Sequence, residues 1–205
     1  MDFNSNQKNA SNLEVRLEAA LNRLKPHFVH NAFTSIYYLC DMDTEQAKDI
    51  TLTLSAYTLG ALRLIENGEP VAFTQEFELV QNYLKLEDLR LGEKLDVETD
   101  ITFDDFNIPA LTLQAVVELA VKRSIAAKTN GGTLTIETER LQDGGVLIKV
   151  SEDGIGFEDE ALQDSHAELL TVQSRIRDEA GGDVKIYNRP GNGSTVEITL
   201  PASSV

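Results

Sequence analysis

The chain is poor in cysteine, in basic residues and in long apolar runs. Its 205 residues include one cysteine, Cys40, so an intramolecular disulfide is excluded and a reducing compartment is expected, with the thiol a small core group. The 18 basic residues are outnumbered by 34 acidic ones, and the formal charge of −16 argues against nucleic acid and against an anionic membrane surface. No apolar run approaches the roughly 20 residues that span a bilayer.

Apolar residues recur at three- and four-residue steps over the first third of the chain. Residues 13–39 predict one helix, after which residues 41–44 supply turn and N-cap side chains. Residues 50–65 predict a second helix, which ends at a Gly/Pro signal in residues 66–70. Two long helices with a short link form an antiparallel hairpin. Its apolar seam predicts pairing with a second copy as a four-helix bundle.

The remainder of the chain mixes helical and alternating patterns. Three helices are predicted, at residues 73–90, 108–128 (with Pro109 at its start) and 164–180. Period-two alternation and bounding turn residues predict strands at residues 95–101, 133–139, 146–150, 183–188 and 195–200. An all-helical front followed by a mixed back predicts an α+β chain of two units, which divide between residues 70 and 92.

A proline directly before a histidine interrupts the first helical series. Pro26 removes a backbone donor and clashes with the preceding turn, at a cost of about 3 kcal/mol. A neutral imidazole such as that of His27 is a competent nucleophile toward phosphorus, and Asn31, one turn later, shares its face and could orient the ring. His30 lies about 60° away around the helix and is treated as incidental. The alternative is a kinked core helix in which the histidine is structural and Asn31 fixes the register of the bundle.

Five segments, taken in order, resemble the LytS-type sensor histidine kinases. The first, Pro26-His27-Phe28-Val29-His30-Asn31, is similar to the phosphoacceptor motif Pro-His-Phe-x-x-Asn of that family. The others resemble its connecting helix, the start of its first ATP-binding box, its glycine box, and its final turn and strand. They are Glu76-Phe77-Glu78-Leu79-Val80-Gln81-Asn82-Tyr83-Leu84, Ile108-Pro109-Ala110-Leu111-Thr112-Leu113-Gln114, Asp153-Gly154-Ile155-Gly156-Phe157 and Gly191-Asn192-Gly193-Ser194-Thr195-Val196. The resemblance covers roughly residues 13–201.

The resemblance implies a domain organisation and a set of partners. Residues 1–12 would be a disordered lead-in, 13–70 a helical hairpin for dimerisation and phosphate acceptance, and 71–92 a connecting helix. Residues 93–205 would form the Bergerat-type (GHKL) α/β sandwich shared with gyrase and Hsp90 chaperones. The expected partners are a second copy of the chain and the receiver domain of a response regulator. The expected location is the cytoplasm, either as a freestanding protein or as the cytoplasmic fragment of a membrane-anchored sensor.

The resemblance also implies site residues. His27 would carry the phosphoryl group with Asn31 beside it, and no residues are assigned to a metal site. Five residues would contact ATP: Glu118, Glu152, Gly154, Gly156 and Thr195.

Three departures from the family pattern put the use of ATP and magnesium in doubt. The magnesium-binding asparagine of the family falls on Leu119, which has no oxygen to offer a hard cation. The aspartate that reads adenine falls on Glu152, one methylene longer. The glycine turn of the nucleotide lid falls on residues 165–169, which contain His166 and no glycine.

Three functions therefore stay open. The first is a phosphotransferase that exchanges a phosphoryl group between His27 and a receiver aspartate and has impaired use of ATP. The second is an active ATP-dependent autokinase. The third is a non-enzymatic pseudokinase dimer or scaffold in which His27 is structural.

Overall fold

The computed structural model describes residues 26–67, 70–156, 162–189 and 191–204, and the chain divides into two compact units between residues 68 and 69. The predicted lead-in and the first half of the first predicted helix lie outside the described residues. Among the residues that are described, no helix is both long and apolar enough to cross a bilayer.

The first unit contains two helices joined by a single residue. Helix α1 spans Pro26–Met42 and helix α2 spans Thr44–Asn67. The Asp43 carboxylate between them accepts the backbone N–H of Gln46 at 3.0 Å, which satisfies one of the free donors at the start of α2. The predicted turn and N-cap are therefore present.

The facing sides of α1 and α2 pack through apolar residues at helical spacing. The ring centroids of Phe28 and Tyr57 lie 5.1 Å apart in an edge-to-face arrangement. The buried apolar residues of this unit are Phe28, Ala32, Ala47, Ile50, Leu54, Tyr57, Ala61 and Leu64. Cys40 is exposed, so the expectation of a buried thiol was wrong.

The second unit is a two-layer sandwich of helices on a sheet. Its helices are α3 (Phe73–Leu91), α4 (Thr112–Leu119) and α5 (Leu162–Ala180). Its strands are β1 (Val71–Ala72), β2 (Leu95–Ile101), β3 (Asn107–Ile108), β4 (Gly132–Arg140), β5 (Val146–Glu152), β6 (Asp183–Asn188) and β7 (Ser194–Leu200).

The main sheet has five strands in the order β2-β4-β5-β7-β6. The β2–β4 pair is parallel and the other three pairs are antiparallel. Burial alternates strictly along β5 and β7, because successive side chains of a strand point to opposite faces. One face therefore packs under the helices, and the mixed α+β sandwich predicted from the sequence is confirmed.

The helix predicted for residues 108–128 is shorter and begins later. Ile108 pairs with Val71 in a two-stranded sheet that the sequence analysis missed. Leu111 has φ 60°, a left-handed conformation that a right-handed helix cannot include, so α4 starts at Thr112. After Leu119 the chain continues as a π-helix over Ala120–Ile125.

Candidate functional site

The phosphoacceptor candidate lies on α1. His27 is exposed, and the Asn31 side chain, one helical turn further on, places Nδ2 3.3 Å from His27 Nδ1. The helix itself brings these two groups together, because residues four apart are neighbours on its surface. The structure therefore shows the contact that the sequence suggested. Pro26 is the first described residue of α1, so its effect on the preceding turn lies outside the described residues.

Glu118 lies on the last turn of α4 and is buried. Gln114, one turn earlier, donates its side-chain amide to Glu118 Oε1 at 2.9 Å. Lys122 brings its ammonium to 3.5 Å from Glu118 Oε2, from the π-helical segment that follows. The buried Glu118 carboxylate thus contacts an amide and a cation. Both contacts lower the free-energy cost of burying its negative charge.

The residues that follow Glu118 provide no cation ligand that the structure describes. Leu119 is buried, and its apolar side chain provides no ligand for a cation. The side chains of Arg123 and Ser124 lie outside the described set. The π-helical geometry begins at Ala120, directly after these site residues, and such segments are common beside functional sites. Among the described residues no group of His, Cys, Asp or Glu is arranged to hold a metal ion.

Glu152 ends β5, and its carboxylate is held from two sides. Oε2 accepts the backbone N–H of Gly154 at 2.6 Å, and Oε1 accepts the Ser194 hydroxyl at 2.5 Å. The longer side chain therefore folds back onto the turn that follows it.

Ser194, and not Thr195, is the β7 residue that reaches Glu152. The register pairs Glu152 with Ser194, while Thr195 pairs with Ser151 and donates its hydroxyl to that side chain at 3.1 Å. Adjacent strand residues face opposite sides of the sheet, so Thr195 lies on the other face from Glu152. Ser194 is therefore the β7 residue that lies beside Glu152. The assignment of Thr195 to the nucleotide site stays a prediction. Buried and half-buried residues alternate along β7, and Ser194 shares its buried face with Val196. This alternation was the sequence signal that places Ser194 on the same face as Glu152.

Two glycines near Glu152 allow close backbone approach. Gly156 has φ +72°, and a Cβ there would lie 2.8 Å from Asn188 Oδ1. Gly193 has φ +87°, and a Cβ there would overlap the Glu152 carbonyl. Gly154 is buried and donates its N–H to Glu152, as described above. Gly154 and Gly156 thus lie beside Glu152, as the sequence predicted, and a side chain at Gly156 would be both strained and obstructed.

The predicted nucleotide lid is not a loop where the sequence placed it. Residues 165–169 lie within helix α5, which spans Leu162–Ala180. Residues 157–161 precede this helix and lie outside the described residues, as do the side chains of residues 162–167, including that of His166. Leu169 is buried and Glu168 is exposed. These residues form helical turns, and their alignment with the family's glycine turn stays a prediction.

A further buried carboxylate, that of Glu76, was not recognised as a site residue from the sequence. It lies on α3 and accepts backbone N–H groups from Leu111 at 2.7 Å and from Gln114 at 3.1 Å. Burial raises its pKa from 4.5 to about 7, although these hydrogen bonds and the nearby Arg175 oppose that rise. Glu76 is therefore an unusual acid beside the helix that carries Glu118.

Comparison with known proteins identifies the family of the chain. Residues 15–95 match the family model described as histidine kinase, and residues 109–204 match the model described as histidine kinase-, DNA gyrase B- and HSP90-like ATPase. The chain belongs to the histidine kinase family of two-component sensors, with the family's ATPase-type domain. This confirms the family that the motifs indicated.

The chain aligns with different fractions of the length of its relatives. It is 27% identical over 203 residues to the putative uncharacterized protein YwpD of Bacillus subtilis, covering 94% of this chain and 73% of that protein. It is 27% identical over 206 residues to the sensor protein LytS of Oceanobacillus iheyensis, covering 92% of this chain and 34% of that protein. The chain thus spans about a third of the length of this LytS.

The fold also matches a solved structure. The histidine kinase domain of the blue-light activated histidine kinase from Erythrobacter litoralis EL346 aligns with a TM-score of 0.52 at 15% sequence identity. The alignment covers 96% of this chain and 95% of that one. At this identity the likeness concerns the fold alone.

Proposed function

We propose that this chain carries a phosphoryl group on His27, exchanges it with the aspartate of a receiver domain, and uses ATP weakly. The observation that carries the proposal is the exposed imidazole of His27 with the amide of Asn31 at 3.3 Å from Nδ1. An exposed ring on a helix surface is accessible to a docking domain. The receiver and ATP are both cytoplasmic, and we place the reaction there.

The contact between Asn31 and His27 has a chemical consequence. When the amide Nδ2 donates to Nδ1, the neutral ring carries its proton on Nε2. A half-turn of the amide presents Oδ1 instead, which favours a proton on Nδ1 and leaves the Nε2 lone pair free. In that state an N–P bond forms at Nε2 as the O–P bond to the receiver aspartate breaks. The aspartate leaves as a carboxylate, and Asn31 stabilises the cationic ring.

Weak use of ATP is proposed from two residues of the second unit. Leu119 is buried and lacks the oxygen that a magnesium ligand needs. Glu152 directs its carboxylate onto Gly154 and Ser194, so an adenine amine would have to share these oxygens. Magnesium-bound ATP would nonetheless lie beside Glu118, Glu152 and Gly156 in the proposed site. The ATP supplies the phosphoryl group when bound.

An ATP-dependent autokinase is the second candidate, favoured by the state of Glu118. This carboxylate is buried and held by Gln114 and Lys122. Because burying a charged group costs free energy, its presence favours a function in the nucleotide site. A non-enzymatic scaffold is the third, and it is the outcome of the tests if His27 takes no phosphate.

The first unit presents an apolar surface that supports a homodimer, the usual state of this family. Six large apolar side chains of α1 and α2 are at least half exposed, which is unusual for a surface that faces only water. They are Phe33, Tyr37, Tyr38, Met42, Leu52 and Leu59. We propose that a second copy covers part of this surface as a four-helix bundle.

The test of the proposed function is phosphate acceptance. The protein is incubated with a receiver domain that carries a radiolabelled phosphoryl group, and label on the chain is followed with time. Wild type and His30→Gln should be labelled, and His27→Gln should not. The label should be lost in acid and kept in base, as is typical of phosphohistidine. Asn31→Leu removes the amide at similar size and should slow labelling about tenfold.

A parallel incubation with magnesium-ATP separates the candidates. Label from the receiver with little from ATP supports the phosphotransferase. Rapid labelling of His27 by ATP would favour the autokinase and contradict weak ATP use. Absence of label from both donors, or equal labelling of wild type and His27→Gln, would leave the scaffold as the better account.

A further inference from the structure

The start of helix α4 is held by a side chain from another helix. Glu76 of α3 is fully buried, and each of its two carboxylate oxygens accepts one backbone N–H. Oε2 takes the N–H of Leu111 and Oε1 takes that of Gln114, so one carboxylate satisfies two donors that the helix cannot pair internally. A negative charge here also complements the positive end of the helix dipole.

The turn before α4 is strained, and Glu76 contacts it at the strained residue. Leu111 is the one non-glycine residue with positive φ among the described residues, at φ 60° and ψ 22°. That left-handed conformation is unfavourable for a leucine and persists only where the surroundings fix it. Its N–H is the one that Glu76 Oε2 accepts, and Arg175 of α5 donates to the preceding carbonyl, that of Ala110, at 2.7 Å.

A continuous series of contacts joins Glu76 to Glu118. The backbone of Gln114 is bound by Glu76, while the side chain of the same residue donates to Glu118 Oε1. Any change in the start or the rotation of α4 therefore moves the amide that holds Glu118.

We infer that Glu76 is a positioning residue for Glu118: its buried carboxylate fixes the start of α4, and through Gln114 it holds the Glu118 carboxylate in place. The inference rests on the proposed function only in taking Glu118 as part of the nucleotide site. Without Glu76, the left-handed turn at Leu111 loses its acceptor and α4 is free to begin elsewhere.

Ionisation of Glu76 gives the inference a readout of its own. Arg175 from α5 is the charged group that acts on this carboxylate. The backbone N–H groups of Leu111, Leu113 and Gln114, at the start of α4, also favour its charged form. A protonated carboxyl has lost one acceptor position, so one of the two N–H bonds weakens when Glu76 takes up a proton. Since burial raises the Glu76 pKa to about 7, this change falls near neutral pH.

The test is solution NMR of the full chain between pH 5.5 and 8.5, following the side-chain amide protons of Gln114. In wild type these resonances should shift with a midpoint near pH 7, together with the backbone amides of Leu111 and Gln114. In Glu76→Gln the pH-dependent shift should vanish, and the Gln114 side-chain resonances should move away from their wild-type positions. Glu118→Gln should also move them, which shows that they report on the contact with Glu118.

Glu78 provides the matched control, because it lies on the same helix and is exposed. Glu78→Gln should leave the Gln114 resonances and their titration unchanged. Side-chain resonances of Gln114 that neither titrate in wild type nor change in Glu76→Gln would overturn the inference. The wild-type titration alone decides the matter if Glu76→Gln fails to fold. The proposed phosphate transfer plays no part in these spectra, so its failure would be recognised separately.

Discussion

Raising the pH from 5 to 8 should weaken the folded second unit through Glu76, beyond any effect of the other carboxylates. The folded-state pKa of about 7 lies above the ordinary value of 4.5, because burial disfavours the charged carboxylate. The folded chain therefore keeps a proton on Glu76 over a pH interval in which the unfolded chain has released it. The stabilisation is complete below about pH 4.5 and is lost as the pH rises through about 7.

The size of this effect follows from the same two values. A rise from 4.5 to about 7 at roughly 1.4 kcal/mol per unit corresponds to about 3 kcal/mol, most of which is lost between pH 5 and 8. Glu76→Gln has no proton to release. The free energy of unfolding of the variant should therefore rise relative to wild type by about 2–3 kcal/mol over that range, whatever the difference at pH 5.

Urea unfolding followed by far-ultraviolet circular dichroism at several pH values measures this difference. Subtracting the variant from wild type removes the contribution of the remaining carboxylates, which both chains share. Glu78→Gln, an exposed change on the same helix, should follow wild type at every pH. A difference between wild type and Glu76→Gln that is constant with pH would refute the reasoning, and one of opposite slope would mean that the N–H donors outweigh burial.

Three further results are expected. Ser194→Ala removes a hydroxyl donor from the buried Glu152 carboxylate and should lower the free energy of unfolding in urea by about 1–3 kcal/mol. Thr195→Ala should lower it by less than about 1 kcal/mol, and equal losses would contradict the assigned faces of β7. Tyr37→Lys places a charge on the exposed apolar surface of α1 and should lower the mass measured by light scattering from that of the proposed dimer to that of a monomer. A dimer mass that the substitution leaves unchanged would place the interface elsewhere. Leu119→Asn should increase the affinity for magnesium-ATP about 30-fold in calorimetry, provided that circular dichroism shows the variant to be folded. A dissociation constant of the wild-type protein in the low micromolar range would contradict weak ATP use.

Elements with a long periodic pattern were predictable from the sequence. Helices α2 and α3 and strands β2, β6 and β7 lie within a few residues of their predicted positions. In each case the burial of one face requires the same spacing that the sequence displays.

The misses share a different cause, since each depends on contacts between distant parts of the chain. The start of α4 is set by the left-handed turn at Leu111 and by Glu76, 35 residues earlier, and neither leaves a periodic trace. The short β1–β3 pair is too brief for alternation to be visible. The contact between Ser194 and Glu152 is a different case, because the burial alternation of β7 already places Ser194 on the inner face.

The phosphoacceptor site needs fewer residues than the nucleotide site. A substitution can therefore alter the nucleotide site and leave the phosphoacceptor site intact. Phosphate acceptance requires one exposed imidazole and one neighbour on the same helix, as with His27 and Asn31, and the helix repeat alone brings them together. Nucleotide use requires groups from α4, β5 and β7 to meet with correct chemistry, so a single apolar residue such as Leu119 affects it at once. A chain that receives its phosphoryl group from a receiver needs the first site alone. The contacts around Glu118 and Glu76 then matter for stability, whether or not ATP is ever turned over.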